Sequence, residues 1–254
     1  MSSARKTRIA QAFDRAEGYD AHARIQREAA RQLAAKVATL PIDSKLPALE
    51  IGCGTGFLTE ALLAGCSPRR LLASDIAPAM IARARQRLGD RPGLDFELID
   101  GEAPPAPPAG GWGLIASSLA FQWFEQPAAA IDRLAEMLAP GGWLAIATLA
   151  PGSLAEWSTA LRTAGLGAVA RDYPDPATLH PHAEIRCYDI VEQHRDGRAF
   201  LHSLKAIGAA TRWNGTASPA GLRHAISAFE QGGAAITYRI AELIVRGRTQ
   251  GEGS

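Results

Sequence analysis

Residues 47–63, PALEIGCGTGFLTEALL, run from a proline through a short apolar stretch and one acid into glycines at 52, 54 and 56. Glycine at every second position weakens strand and helix alike. The backbone here therefore needs what only glycine supplies, which is positive φ or close approach to a ligand. LPALEI reads as a short buried strand, the glycines as a loop, and FLTEALLAG as a helix closed by Gly65.

The same rhythm continues downstream. LLASD (71–75) is a second buried strand, and APAMIARARQRLG a helix ending at Gly89. LDFELID (94–100) is a third strand, followed by the breaker-rich loop EAPPAPPAGG. WGLIASSLAFQWF contains a fourth strand, PAAAIDRLAEMLAPGG is a helix with a Pro-Gly-Gly stop, and WLAIATLAPG is a fifth strand. Upstream, residues 22–38 place Ile25, Ala29, Leu33 and Val37 at helical spacing. Strands alternating with amphipathic helices predict an α/β fold, a doubly wound and mostly parallel sheet. From Pro151 onward the pattern is less regular, and that part holds five of the six histidines.

In such a sheet the ligand lies beyond the carboxyl ends of the strands, near the switch point. A pyrophosphate loop is spaced G-x-G-x-x-G, whereas here Gly52, Gly54 and Gly56 alternate behind Glu50. A carboxylate at 50 disfavours phosphate and favours an ammonium group. That selects an amino acid joined to a nucleoside, as in S-adenosylmethionine. Asp75 ends the second strand 19 residues beyond Gly56, close to the offset at which an acid takes ribose hydroxyls. Asp100, with Gly101 behind it, ends the third strand and is placed to accept from an adenine amino group. Either aspartate alone reads equally as a cap or a solvated loop residue, but three acids at three successive strand ends make a cofactor site.

Composition bounds the rest. A formal net charge of +1 provides no overall field toward nucleic acid or membrane, and neither is expected as a partner. No stretch approaches the ~18 consecutive apolar residues of a membrane span. The N-terminal MSSARKTRIAQAFDRAEGYD lacks an apolar segment, and its early acids weaken a transit-peptide reading. Three scattered cysteines fit no disulfide framework, so a reduced cytoplasm and a monomer are the expectations. His180, His182, Cys187 and His194 fit no standard zinc spacing, and no metal is expected.

The sequence resembles the class I S-adenosylmethionine-dependent methyltransferases. LEIGCGTGFLTEAL and SDIAPAMIARAR are shared with many of them. Within that superfamily it looks most like the malonyl-[acyl-carrier-protein] O-methyltransferases of biotin synthesis. That likeness rests on AFDRAEGYDAHARIQREAARQL, on SLAFQW and TLAPGSLAE, and more weakly on FLHSLKAIGAATRW and ITYRI. Residues 165–200 depart most.

The resemblance implies one methyltransferase domain over residues 1–254: a helical lid at 1–40, a cofactor-binding core at 46–150, and a substrate and docking part at 151–254 that completes the sheet. It implies methyl transfer to the free carboxylate of a malonyl thioester on acyl-carrier protein or CoA, with S-adenosylhomocysteine as product. Phe13, Tyr19 and Gln26 would close over the cofactor, and Ile76 and Ser117 would add contacts. A carboxylate is already ionised near neutrality, its reference pKa being about 4, so no general base is required. Tyr19 would then act by positioning, its alternative being helix packing. Gln122 and Trp123 would face the acceptor pocket. Arg186, Lys205 and Arg212 are the candidates for a cation on the acceptor carboxylate. The basic stretch 195–224 reads either as a docking face for an acidic carrier protein or as a solvated helix face. Two other functions fit the scaffold: a small-molecule carboxyl methyltransferase similar to the trans-aconitate enzyme, and an assembly factor or arginine hydroxylase.

Overall fold

The computed structural model describes residues 4–16, 18–66, 68–166, 173–208 and 218–248. Three helices lead the chain: α1 (Ala4–Asp14), the single-turn α2 (Tyr19–His22) and α3 (Arg24–Val37). The core alternates β1 (Ala48–Ile51), α4 (Phe57–Gly65), β2 (Leu71–Asp75), α5 (Pro78–Leu88) and β3 (Leu94–Leu98). It continues through β4 (Trp112–Ser118), a 3-10 turn at Phe121–Trp123, α6 (Pro127–Glu136) and β5 (Leu138–Leu149). The remainder supplies α7 (Ala155–Thr163), β6 (Glu184–Gln193), α8 (Gly197–Ala206), α9 (Pro219–Gln231) and β7 (Ala235–Arg246).

The seven strands form one sheet in the order β3-β2-β1-β4-β5-β7-β6. The first five are parallel, and β7 runs antiparallel between β5 and β6. The chain winds outward from β1 through β2 to β3, then crosses back to β4, so the topological switch lies between β1 and β4. Ligands bind at the carboxyl ends of strands at such a switch.

Both faces of the central strands are covered, which is why they read as apolar runs and not as alternation. Every residue of β1 is buried, whereas the edge strand β3 exposes most of its length. Ala48 packs into the core beneath α3 and α4, while Leu49 and Ile51 face the other core, beneath α6. Leu33 and Val37 of α3 are fully buried, as their helical spacing predicts. Local chemistry fixes several helix ends. Pro78 opens α5 at a position whose N–H needs no partner, and Gly89 closes it with φ +67°. Asp196 caps α8 by accepting from the Ala199 N–H at 2.7 Å.

Several boundaries differ from the sequence reading. The third strand, expected to reach Asp100, ends at Leu98. Gly65 is the last residue of α4, and the cap is Cys66 in right-handed geometry. The helix expected to stop at Pro140-Gly141-Gly142 stops at Glu136, because Leu138 already pairs with Trp112. The Pro-Gly-Gly segment therefore lies inside β5, opposite a register shift between Trp112 and Leu114.

Candidate active site

A cleft of about 930 Å³, counted to its open mouth, lies over the carboxyl ends of β1, β2 and β4. Its floor is the loop after β1. Gly52, Gly54 and Gly56 all have positive φ, at +72°, +55° and +92°. At Gly52 a Cβ would stand 2.4 Å from the Cβ of Ala120, so only glycine lets β1 and the exit of β4 come together. Gly54 lines the cleft, but Gly56 does not. Its left-handed φ turns the chain into α4, where it packs beside Leu88.

The three acids lie at the carboxyl ends of three adjacent strands: Glu50 and Asp75 within β1 and β2, and Asp100 in the turn after β3. Glu50 in β1 is 1% exposed, lines the cleft and accepts from the Thr59 hydroxyl at 2.6 Å. Burial pushes its carboxyl up to about 8, with the nearby Asp75 charge adding to the rise. Asp75 ends β2 and accepts from the N–H of Gly54 at 2.8 Å and of Ala77 at 2.9 Å. Burial raises its pKa, and those backbone hydrogen bonds oppose the rise. Asp100 lies two residues beyond β3, in the turn that also brings Ile99 and Gly101 to the cleft. Ile76 lines the cleft next to Asp75.

The N-terminal helices form the roof. Phe13 in the last turn of α1 meets the Tyr19 ring edge-on at 6.5 Å and the Trp123 ring at 5.4 Å. Phe13, Tyr19, Trp123 and Gln26 all line the cleft. The Tyr19 hydroxyl oxygen is 3.8 Å from the position a Cβ on Gly54 would take, so the phenol lies over the glycine loop. Burial, then the negative charge of Asp75, holds the phenol protonated well beyond neutrality, so it is a donor and not a base.

Charged contacts tie the roof to the rim. Lys6 of α1 donates to both oxygens of Asp100, at 3.0 and 2.7 Å, and pairs with Glu102 at 2.8 Å. Arg83 of α5 donates to the carbonyls of Asp14 and Ala16, and the Ala79 N–H donates to the Asp14 carboxylate. Asp20 of α2 accepts from the Thr55 hydroxyl at 2.6 Å and pairs with Arg87. Lys6, Thr55, Thr59, Asp20 and Glu102 escaped the sequence reading. Apart from Thr59, nine residues from Glu50, their partners lie tens of residues away along the chain.

Several expected residues lie elsewhere. Ser117 is fully buried and donates to the Ile51 carbonyl at 2.7 Å, strapping β4 to β1, and it is Ser118 that lines the cleft. The pleat sends successive side chains to opposite faces, so a one-residue change of phase exchanges their roles. Gln122 does not line the cleft. Its amide donates to the Leu119 carbonyl at 2.6 Å and accepts from Thr148, holding Leu119 at φ +52°. Arg186 lies on the outer strand β6, donating to Gln32 and standing 3.4 Å from the buried Glu242. Lys205 is exposed on α8. Neither basic side chain reaches the cleft, because β7 and the roof helices separate it from their elements. Arg212 lies outside the described residues. Among the described residues no group of His, Cys, Asp and Glu is arranged to hold a metal ion, and no helix is long and apolar enough to cross a membrane.

The donor set fits an amino-acid-bearing nucleoside. Glu50 is a buried carboxyl whose hydrogen bonds come from the neutral hydroxyl and backbone of Thr59, so it lacks the cation that would offset its burial. An ammonium group supplies one, and a phosphate does not.

Residues 49–144 match the family described as a methyltransferase domain. The chain is 41% identical over 239 residues to the biotin biosynthesis bifunctional protein BioCD of Bordetella avium, covering 92% of this chain and 51% of that protein, about half its length. It is 33% identical to the malonyl-[acyl-carrier protein] O-methyltransferase of Pectobacterium atrosepticum, covering 94% of this chain and 96% of the relative. The corresponding enzyme of Magnetococcus marinus is also 33% identical, over 81% and 78% of the two chains. Among solved structures, the YcgJ protein of Bacillus subtilis superposes with a TM-score of 0.58 at 15% identity, over 85% of this chain and 97% of that one. The [4+2]-cyclase SpnF does so at 0.50 and 18%, over 86% and 82%. The last two speak only for the fold, which hosts more than one chemistry. The full-length sequence relationship is more specific: the chain belongs to the malonyl-[acyl-carrier protein] O-methyltransferase family, enzymes that take their methyl group from S-adenosylmethionine.

Proposed function

We propose that this chain transfers the methyl group of S-adenosylmethionine to the free carboxylate of a malonyl thioester carried by acyl-carrier protein. Residues 1–40 act as the lid, 46–150 as the cofactor core, and 151–254 as the substrate and docking part. One observation carries the choice of acceptor. Among the described residues no histidine lines the cleft, its tyrosine is held protonated, and its acids are those assigned to the cofactor or are paired with Lys6. An acceptor that must lose a proton finds no base here, whereas a carboxylate arrives ionised.

When bound, the cofactor supplies an electrophilic methyl group on a sulfonium. The chain's own work is placement. Glu50 would take the ammonium, Asp75 the ribose, and the turn at Asp100 the adenine, beside the glycine loop at Gly52 and Gly54. Phe13, Tyr19 and Trp123 close the roof, exclude water and hold the acceptor in line with the methyl group.

The carrier protein would dock on α8. Arg198, His202 and Lys205 are exposed at helical spacings of four and three residues, and so form one stripe. The end of that helix abuts the lid, since a Cβ on Gly208 would lie 3.2 Å from the Phe13 ring. Carrier proteins are acidic, and complementary charge chiefly speeds and orients encounter. The double variant R198E/K205E is expected to raise KM for malonyl-carrier protein about tenfold at low salt. Its KM for malonyl-N-acetylcysteamine, which has no carrier surface, should stay within about twofold. Added salt should shrink the difference as screening sets in.

The founding test is incubation with methyl-labelled cofactor and malonyl-carrier protein, malonyl-CoA or trans-aconitate, followed by base-labile release of label. Label on the malonyl thioesters is the expected result. Label on trans-aconitate alone selects the small-molecule reading. No label on any carboxylate, with cofactor binding intact, selects the assembly-factor or hydroxylase reading.

A further inference from the structure

The sequence directs the search for the acceptor's anchor toward a cation, but the described residues offer none at the β4 end of the cleft. The strand order gives the cleft a direction. Asp100 follows β3, Asp75 ends β2 and Glu50 lies in β1, so adenine, ribose and methionine are laid out along β3, β2 and β1. The next strand across is β4, and the acceptor meets the methyl group there. Lys6 is the cationic side chain among the lining residues, and it is held by Asp100 and Glu102 at the adenine end. The β4 end is walled by Ser118, Leu119, Ala120, Trp123 and Phe124, none of them charged.

That wall carries polar atoms that the protein leaves unsatisfied. The Ser118 hydroxyl is buried with no hydrogen-bond partner. So is the Oε1 atom of Gln26, a roof residue lining the same cleft. Buried polar atoms are nearly always paired, and each exception calls for a reason. The neighbouring Ser117 donates to the Ile51 carbonyl, so the lone hydroxyl at 118 is not a shortage of acceptors in this strand. Leu119, held in left-handed geometry by the Gln122 amide, fixes the backbone on which Ser118 is presented.

We propose that Ser118 is a binding residue for the acceptor, donating its hydroxyl to one carboxylate oxygen. Among the described residues, the acceptor is thus held by neutral groups, with no basic side chain. This rests on the carboxylate acceptor argued above. The chemistry favours it. A bond forms between the second carboxylate oxygen and the methyl carbon as the carbon–sulfur bond breaks, and that bond's electron pair stays on sulfur. No proton moves, and a cation and an anion become a neutral ester and a neutral thioether. An arginine on the carboxylate would stabilise the ionised reactant more than the charge-depleted transition state, and so raise the barrier. A neutral hydroxyl positions the nucleophile without drawing off its charge, in a cleft whose low dielectric favours charge annihilation.

The test compares S118A and S118T with wild type on malonyl-N-acetylcysteamine, alongside calorimetric binding of S-adenosylhomocysteine. S118A should raise the acceptor KM about tenfold, the value of one lost hydrogen bond to a charged group, with kcat changed less than about threefold. Its S-adenosylhomocysteine affinity should stay within about twofold, and S118T should recover most of the loss. A weakened S-adenosylhomocysteine affinity would place Ser118 on the cofactor and overturn the proposal, as would an unchanged acceptor KM. A wild-type enzyme that methylates no malonyl thioester would overturn the acceptor reading and this proposal together. An active wild type with an indifferent S118A overturns this proposal alone.

Discussion

S-adenosylhomocysteine is expected to bind roughly tenfold more tightly for each pH unit gained below pH 8, with affinity levelling off above it. The cause is Glu50, which burial holds protonated up to about 8 in the empty cleft. An ammonium group needs the carboxylate, so binding below that pH expels a proton. Calorimetry in buffers of differing ionisation enthalpy reads the released proton directly. Glu50→Gln should remove both the slope and the proton release. It should also lower affinity at pH 8 by about a hundredfold, the cost of leaving a buried ammonium without its counter-charge. A flat wild-type profile would show that Glu50 does not meet the ammonium.

The same group has a stability signature of opposite sense. Its ordinary pKa of 4.5 applies in the unfolded chain, and the folded chain keeps its proton up to about 8. Between those values the native state binds more protons than the unfolded state. Stability of the empty enzyme contributed by this group therefore falls as pH rises through that window. Melting temperatures of the wild type should decline there relative to Glu50→Gln, and saturating cofactor should offset the decline.

Asp75→Ala should weaken S-adenosylhomocysteine binding by about a hundredfold, through loss of two charge-assisted hydrogen bonds to the ribose. The structure adds a second reason. Each Asp75 oxygen also accepts a backbone N–H, from Gly54 or Ala77, so the side chain shapes the glycine loop as well as the ligand. Alanine leaves both N–H groups without that acceptor, and a drop of a few degrees in the melting temperature of the empty enzyme is expected. Asp75→Asn keeps one acceptor oxygen and should restore much of the melting temperature while binding remains weak. Calorimetry paired with thermal melts separates the two roles. Unchanged affinity in Asp75→Ala would remove the ribose assignment.

The strands and the residues at their ends were readable because they depend on near neighbours. LLASD coincides with β2, Pro78 and Gly89 bound α5, and Glu50 and Asp75 line the cleft as expected. Each rests on a local rule: burial on two faces, a fixed φ, an acid at a strand end. The errors arose where one more long-range fact was needed. Ser117 straps β4 to β1 while Ser118 faces the cleft, because the phase of β4 is set by its pairing with β1 and β5. The Pro-Gly-Gly segment was read as a helix stop because its pairing partner lies on β4.

Two of the three candidate cations, Arg186 and Lys205, lie away from the cleft for a related reason. Arg186 and Lys205 follow the core in sequence, but β7 inserts antiparallel beside β5 and carries β6 outward, away from the cleft. Lys6 reaches Asp100 across 94 residues of chain, a contact without a local signature.

The sequence by itself determined the doubly wound sheet, the glycine loop and the acids at the strand ends. Periodicity, φ requirements and strand-end chemistry are properties of short segments. Only the tertiary structure decided which serine faces the cleft, how the N-terminal helices are tied to its rim, and that the described residues lining its β4 end are uncharged. Those features depend on strand register and on contacts between distant segments, and both exist only once the chain has packed.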